Sequence, residues 1–216
     1  MKVLKKKGDK DRVSETVSSR IKNPDLVRKK HLLIAKEASK LFIKKGYQQT
    51  TMREISKATG MAIGNLYDYI SKKEDVLCLV FDVYHQYMQE RLENKEIFDK
   101  ADPKALLKLF IHDSLRNVET FRDEIVSMYR ESKLLPKKNL ERAMEKEVKQ
   151  IQILEKILRK GVDRGVFHVQ DPYFAASMIF YQLVFSTLRR WTLKGKYSDE
   201  AVNRLIEEYI LKPYGT

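Results

Sequence analysis

Apolar residues recur along this chain at steps of three and four, the period of a helix with one buried face, and no stretch sustains the alternate-residue pattern of a strand. Asn23-Pro24 pairs a capping side chain with proline at the first helical position. From there Val27, Ile34, Ala38, Leu41 and Phe42 hold helical spacing until Gly46 ends it. Two short helices are predicted within residues 51–70, and a long one continues from Val76 to about Glu93. Asp102-Pro103 starts another, with Leu106, Leu107, Phe110, Ile111, Leu115 and Val118 along one side, and a shorter one covers Glu124–Glu131. Pro136 opens a long helix carrying Leu140, Met144, Val148, Ile151, Leu154 and Leu158, with Gly165 as its terminator. Asp171-Pro172 begins the next, read through to Trp191, and Ser198 caps a last one bearing Val202, Leu205, Ile206 and Tyr209. The expected fold is all-α with about nine helices: an N-terminal three-helix domain and a helical body.

The stretch 51–70 is the most informative. Thr51 and Glu54 have capping-box spacing, Gly60 stops the first short helix, and the second begins near Ala62. Leu66 and Ile70 are its inward residues, closed beneath by Ile55 and Met61, which leaves Gly64, Asn65, Tyr67 and Asp68 facing outward. Two helices joined by a glycine turn, the second with a polar outer face, make a helix-turn-helix. Asn65 has the amide geometry for an adenine edge, and Asp68 can accept from cytosine N4. Lys73, at the start of the following helix, can hold a phosphate, with Ser71 and Glu74 spaced to cap that end.

Thr51-x-Arg-Glu-Ile-x-Lys-x-x-Gly60, Gly64-Asn-Leu-Tyr-x-Tyr-Ile70 and Lys72-Lys-Glu-Asp-Val-Leu77 together resemble the DNA-binding domain of TetR/AcrR-type bacterial regulators, strongly over about residues 28–77. The resemblance implies a DNA-reading surface of Thr51, Arg53, Ile63, Gly64, Asn65, Tyr67, Asp68, Tyr69 and Lys73; Tyr69 can alternatively pack against the first helix. Ala62 and Ile63 depart from the polar side chains common there, which leaves the operator sequence open.

Charge supports the same reading. Of the net +13, residues 1–75 carry 19 Lys and Arg against 9 Asp and Glu, whereas residues 76–216 carry 24 against 21. The excess lies with the reading head, where phosphate neutralisation needs it. Residues 1–22 read as a basic flexible arm, either a solvated tail or one that trails into a minor groove, 23–75 as the DNA-binding domain and 76–216 as a ligand-binding and dimerisation domain. A single cysteine, Cys78, rules out an internal disulfide. With no signal peptide and no adequate membrane span, a cytoplasmic protein without a membrane partner is expected.

In the body, the helix starting at Pro172 is apolar nearly all round, which predicts burial on one flank by its own subunit and on the other by a partner. The homodimer interface is therefore assigned to Phe180, Val184, Leu188, Trp191, Leu205 and Tyr209. Tyr84, Phe110, Ser114, Met128, Tyr129, Met178 and Tyr181 are candidates to line an apolar pocket, although aromatics and methionines at helical spacing also make ordinary core. The strings Met128–Pro136 and Gly161–Phe167 are similar to those of TetR-type members that answer to acyl-CoA thioesters. The resemblance thus implies a repressor released from a palindromic operator in double-stranded DNA by a small apolar effector, an acyl-CoA being one candidate. No catalytic constellation, cofactor motif or metal-ligand spacing is found: the four histidines are dispersed and no glycine loop cradles phosphate. The alternative is a chromosome-associated DNA-binding protein whose helical body binds a protein partner.

Overall fold

The computed structural model describes residues 17–92 and 101–215, with side chains excluded over 83–92. Ten α-helices are found among the described residues: α1 (Pro24–Lys45), α2 (Met52–Thr59), α3 (Ile63–Tyr69), α4 (Lys73–Leu92), α5 (Pro103–Thr120), α6 (Arg122–Glu131), α7 (Lys137–Asp163), α8 (Pro172–Leu188), α9 (Arg190–Leu193) and α10 (Asp199–Leu211). Short 3-10 turns follow α6 and α10, and no strand occurs among these residues.

The boundaries follow the local chemistry. Asn23, Asp102, Asp171 and Ser198 each accept a hydrogen bond from a first-turn amide of the helix that follows, satisfying donors the helix cannot. Gly46 ends α1 at φ +83°, a conformation open to glycine and costly for side chains with a Cβ. The helix expected to run from Pro172 to Trp191 breaks at Arg189, and Trp191 falls in the separate α9.

Two compact units result. The first holds the described residues up to Gln86 together with Asp123–Ala143; the second holds Tyr87–Arg122 with Met144–Thr216, so the dividing points fall within α4 and α7 and just after the start of α6. The first unit's core gathers Ile34, Phe42, Ile55, Leu66 and Ile70 with Leu77 and Ile125. Here α6 is joined to α1 and the following loop by long-range bonds: Ser127 Oγ donates to Ser39 O, Arg130 Nη1 to Ile43 O, and Tyr47 N to Glu131 Oε1 at 3.3 Å. Cys78 is buried in this unit; burial pushes its thiol up to about 11, and Asn139 Nδ2 donates to its sulfur, so it has no thiolate to offer.

In the second unit, α5, α7, α8 and α10 enclose Leu107, Phe110, Ile111, Leu154, Leu158 and Leu183. Gly161 lets the Phe167 ring lie against the backbone of α7; a Cβ there would come within 1.9 Å of that ring. Gly165, at φ +67°, makes the intervening turn. Packing therefore accounts for the glycines of the Gly161–Phe167 string without any ligand.

Candidate nucleic-acid interface

The reading head is assembled from the cap inward. Thr51 N donates to Glu54 Oε2 at 2.9 Å while Thr51 Oγ1 accepts from Glu54 N, a complete capping box. Lys45 Nζ, 2.5 Å from Glu54 Oε1, and the Thr51 bonds hold the Glu54 carboxyl down at about 2, so the cap keeps its charge at neutral pH. At the other end of α2, Gly60 turns left-handed (φ +66°), Met61 N donates to Ser56 O, and Ser56 Oγ donates to Met61 O. The turn is stapled in both directions, which fixes the entry angle of α3.

On α3, Leu66 and Tyr69 are buried, and Ile70 is buried just past its end. Ile63, Gly64, Asn65 and Tyr67 are exposed, and Asp68 is half-buried. A Cβ added at Gly64 would meet nothing within 4 Å, so the protein's own packing does not require glycine here. Bare backbone at an exposed position suits close approach by something outside. Thr51 and Arg53 are exposed on the neighbouring α2 cap and first turn.

Two expected contacts are placed differently. Tyr69 is only 4 % exposed: its ring belongs to the core and not to the outward face shared by Asn65 and Tyr67. The seven residues of α3 give two turns, and the face carrying Leu66 also carries Tyr69, three positions on. Lys73 is half-buried, donates from Nζ to Gln48 O at 3.0 Å, and lies 4.3 Å above the Tyr47 ring, a cation–π contact. Burial is the main cause that lowers its pKa. Its ammonium thus ties α4 to the loop after α1. Asp75, in place of the expected Ser71–Glu74 pair, receives the amides of Ser71 and Lys72 at the start of α4.

The sequence profile described as "Bacterial regulatory proteins, tetR family" matches residues 34–78, and that described as "Tetracyclin repressor-like, C-terminal domain" matches residues 100–213. The chain belongs to the TetR family. It is a DNA-binding transcriptional regulator of helix-turn-helix type. Among its relatives, the HTH-type transcriptional regulator HbdR of Aromatoleum sp. (strain CIB) is 26% identical over 211 residues, covering 91% of this chain and 88% of that one. The fatty acid metabolism regulator protein of Bacillus subtilis (strain 168) is 28% identical over 189 residues, 85% of this chain and 95% of that one. The crystal structure of PfmR from Thermus thermophilus superposes with a TM-score of 0.69 at 28% identity, covering 83% of this chain and 97% of PfmR. AibR, solved with isovaleryl coenzyme A and operator DNA, shares the fold at TM-score 0.68 and 20% identity, over 85% of this chain and 98% of AibR.

The body of this TetR-family regulator departs from the sequence expectations in which flank of α8 is covered. Ala176, Ile179, Phe180, Leu183 and Val184 are buried within the protomer, so Phe180 and Val184 have no surface to give a partner. The open flank is Phe174, Met178, Tyr181 and Phe185. Met178, Tyr181 and Phe185 border a groove of about 520 Å³ beside α10, lined also by Leu205, Ile206 and Tyr209. Leu205, Tyr209 and Trp191 are exposed, and Leu188 is half-buried. Met178 and Tyr181, expected to line an internal pocket, belong to this open groove instead. The remaining pocket candidates divide between the units. Phe110 and Ser114 are buried in the second; in the first, Met128 is buried and Tyr129 exposed. The side chain of Tyr84 lies outside the described residues. Among the described residues no helix is long and apolar enough to cross a membrane.

Proposed function

We propose that this regulator is a homodimeric repressor that holds a palindromic operator through α3 and releases it on binding an acyl-CoA. The observation that carries the DNA reading is the exposed row Ile63, Gly64, Asn65 and Tyr67 on a helix whose base is buried and stapled. Asn65 is the candidate for direct base readout, Tyr67 for a phosphate, and Gly64 for close backbone approach. Thr51, Arg53, Asp68 and Lys73 complete the proposed surface, Lys73 through donors left after its bond to Gln48.

A palindrome needs two copies. The apolar flank of α8 beside α10, with Phe174 64% and Tyr209 73% exposed, supports a two-fold interface of four helices. Such a dimer would present its reading helices to major grooves about 34–36 Å apart. For the effector, the relevant relatives are a fatty acid metabolism regulator and AibR, which binds isovaleryl coenzyme A. Inside the second unit, Ser114 Oγ is buried without a hydrogen-bond partner on α5, the helix that also carries the buried Phe110 and Ile111. A polar atom of that kind suits an apolar ligand with a polar end. Effector binding then weakens operator affinity by its preference for the released state.

The test is selection of bound fragments from genomic DNA, followed by challenge with acyl-CoA esters of increasing chain length. The fragments should share one palindrome, lost with Tyr67→Ala, and one class of ester should release them while free CoA does not. Fragments without a common sequence would refute the operator reading; a palindrome that no ester releases would refute the effector alone.

A further inference from the structure

The segment ahead of α1 does not behave as the free arm its charge pattern suggests over its whole length. Val17 is buried, Arg20 N donates to Asp68 O at 2.8 Å, and Ser19 Oγ donates to the same oxygen at 3.0 Å. Ser19 Oγ also accepts from Ile21 N at 3.1 Å, which curls the segment around this point. Asp68 is the last residue but one of α3, where a helix leaves its carbonyls without internal partners. A stretch of chain some fifty positions away in sequence supplies the missing donors, so residues 17–21 are fixed to the end of the reading helix.

That segment carries two cations. Arg20 and Lys22 are exposed, and residues 17–24 contain no Asp or Glu. Because the Arg20 amide is bound to the reading helix itself, its guanidinium starts from a set distance to the surface that reads DNA. A cation held in place loses less freedom on meeting a phosphate than one on a loose tail. Residues 1–16 add six Lys and Arg against three Asp and Glu, so positive charge continues up the chain from this anchor.

We infer that residues 17–22 are a second DNA-contacting element, in which Arg20 and Lys22 bind backbone phosphates beside the groove occupied by α3. The inference rests on α3 being the reading helix. It assigns these two residues affinity without sequence preference, since phosphate contacts position a protein and do not read bases.

The experiment is the salt dependence of binding to a duplex that the full chain has selected from random-sequence DNA. Each neutralised phosphate contributes about 0.9 to the slope of log affinity against log salt. Arg20→Gln with Lys22→Gln should flatten the slope by nearly two, leave the melting temperature unchanged and preserve the ranking of variant duplexes. The same loss of charge on α7, Lys149→Gln with Lys156→Gln, should leave the slope as it was. A double variant parallel to the wild type, or an equal flattening from the α7 pair, would overturn the assignment. Failure of the underlying reading looks different: wild-type protein would bind no duplex more tightly than Tyr67→Ala does.

Discussion

His31 Nε2 lies 2.8 Å from the backbone oxygen of Tyr69, the last residue of the reading helix. A carbonyl can only accept, so the imidazole carries its proton on Nε2, and the ring, 1 % exposed, links the middle of α1 to the end of α3. Burial lowers the His31 pKa below its ordinary 6.5, against opposing pulls from the Tyr69 bond and from Asp82 and Asp75. Protonation would place a proton on Nδ1, which has no partner. The folded state therefore binds fewer protons than the unfolded one. The stability from this group is fully present above about pH 6.5 and is lost as pH falls from there through the lowered folded value. Thermal melts should be level at neutral pH and decline below it, and His31→Gln should remove that decline.

Gly64→Ala should separate folding from DNA binding. The space around the position is empty, and alanine is favoured over glycine in a helix by about 1 kcal/mol. The variant should melt at or above the wild-type temperature while binding its duplex at least tenfold more weakly. Undiminished affinity would show that the backbone makes no close approach there.

The two flanks of α8 should respond oppositely to charge. Val184, 2 % exposed, belongs to the protomer core, and an unpaired carboxylate there costs more than about 4 kcal/mol. Val184→Asp should leave little folded protein. Phe174→Asp and Tyr181→Asp lie on the open flank and should yield folded monomers, read by sedimentation and circular dichroism.

Glu131 offers a test of the bond between α6 and the reading head. Its carboxylate accepts from the buried Tyr47 amide, and removing it leaves that donor unsatisfied at a cost of about 1–3 kcal/mol. Glu131→Ala should shift the denaturant midpoint accordingly.

Gly161→Ala should cost more than its small size suggests. The new methyl would meet the Phe167 ring, which packs T-shaped with Tyr214, ring centroids 5.3 Å apart. Overpacking of this kind costs about 1–3 kcal/mol. A paired Phe167→Leu should recover part of the loss in melting temperature.

What the linear chain determined by itself was local. Caps at Asn23, Thr51, Asp102, Asp171 and Ser198, the turn at Gly60 and the inward set Ile55, Met61, Leu66 and Ile70 depend on residues within a few positions of one another, and all are legible in the order of the residues alone. The row Gly64, Asn65 and Tyr67 follows from the same period. Tertiary structure alone decided which flank of α8 meets its own subunit, because apolar residues on every side carry no phase. It also decided that Tyr69 turns into the core, that Lys73 stacks on Tyr47, and that Ser19 and Arg20 close the end of α3. Those outcomes pair residues far apart in the sequence, and a helical period records nothing about the distant partners that satisfy a backbone group or cover a ring.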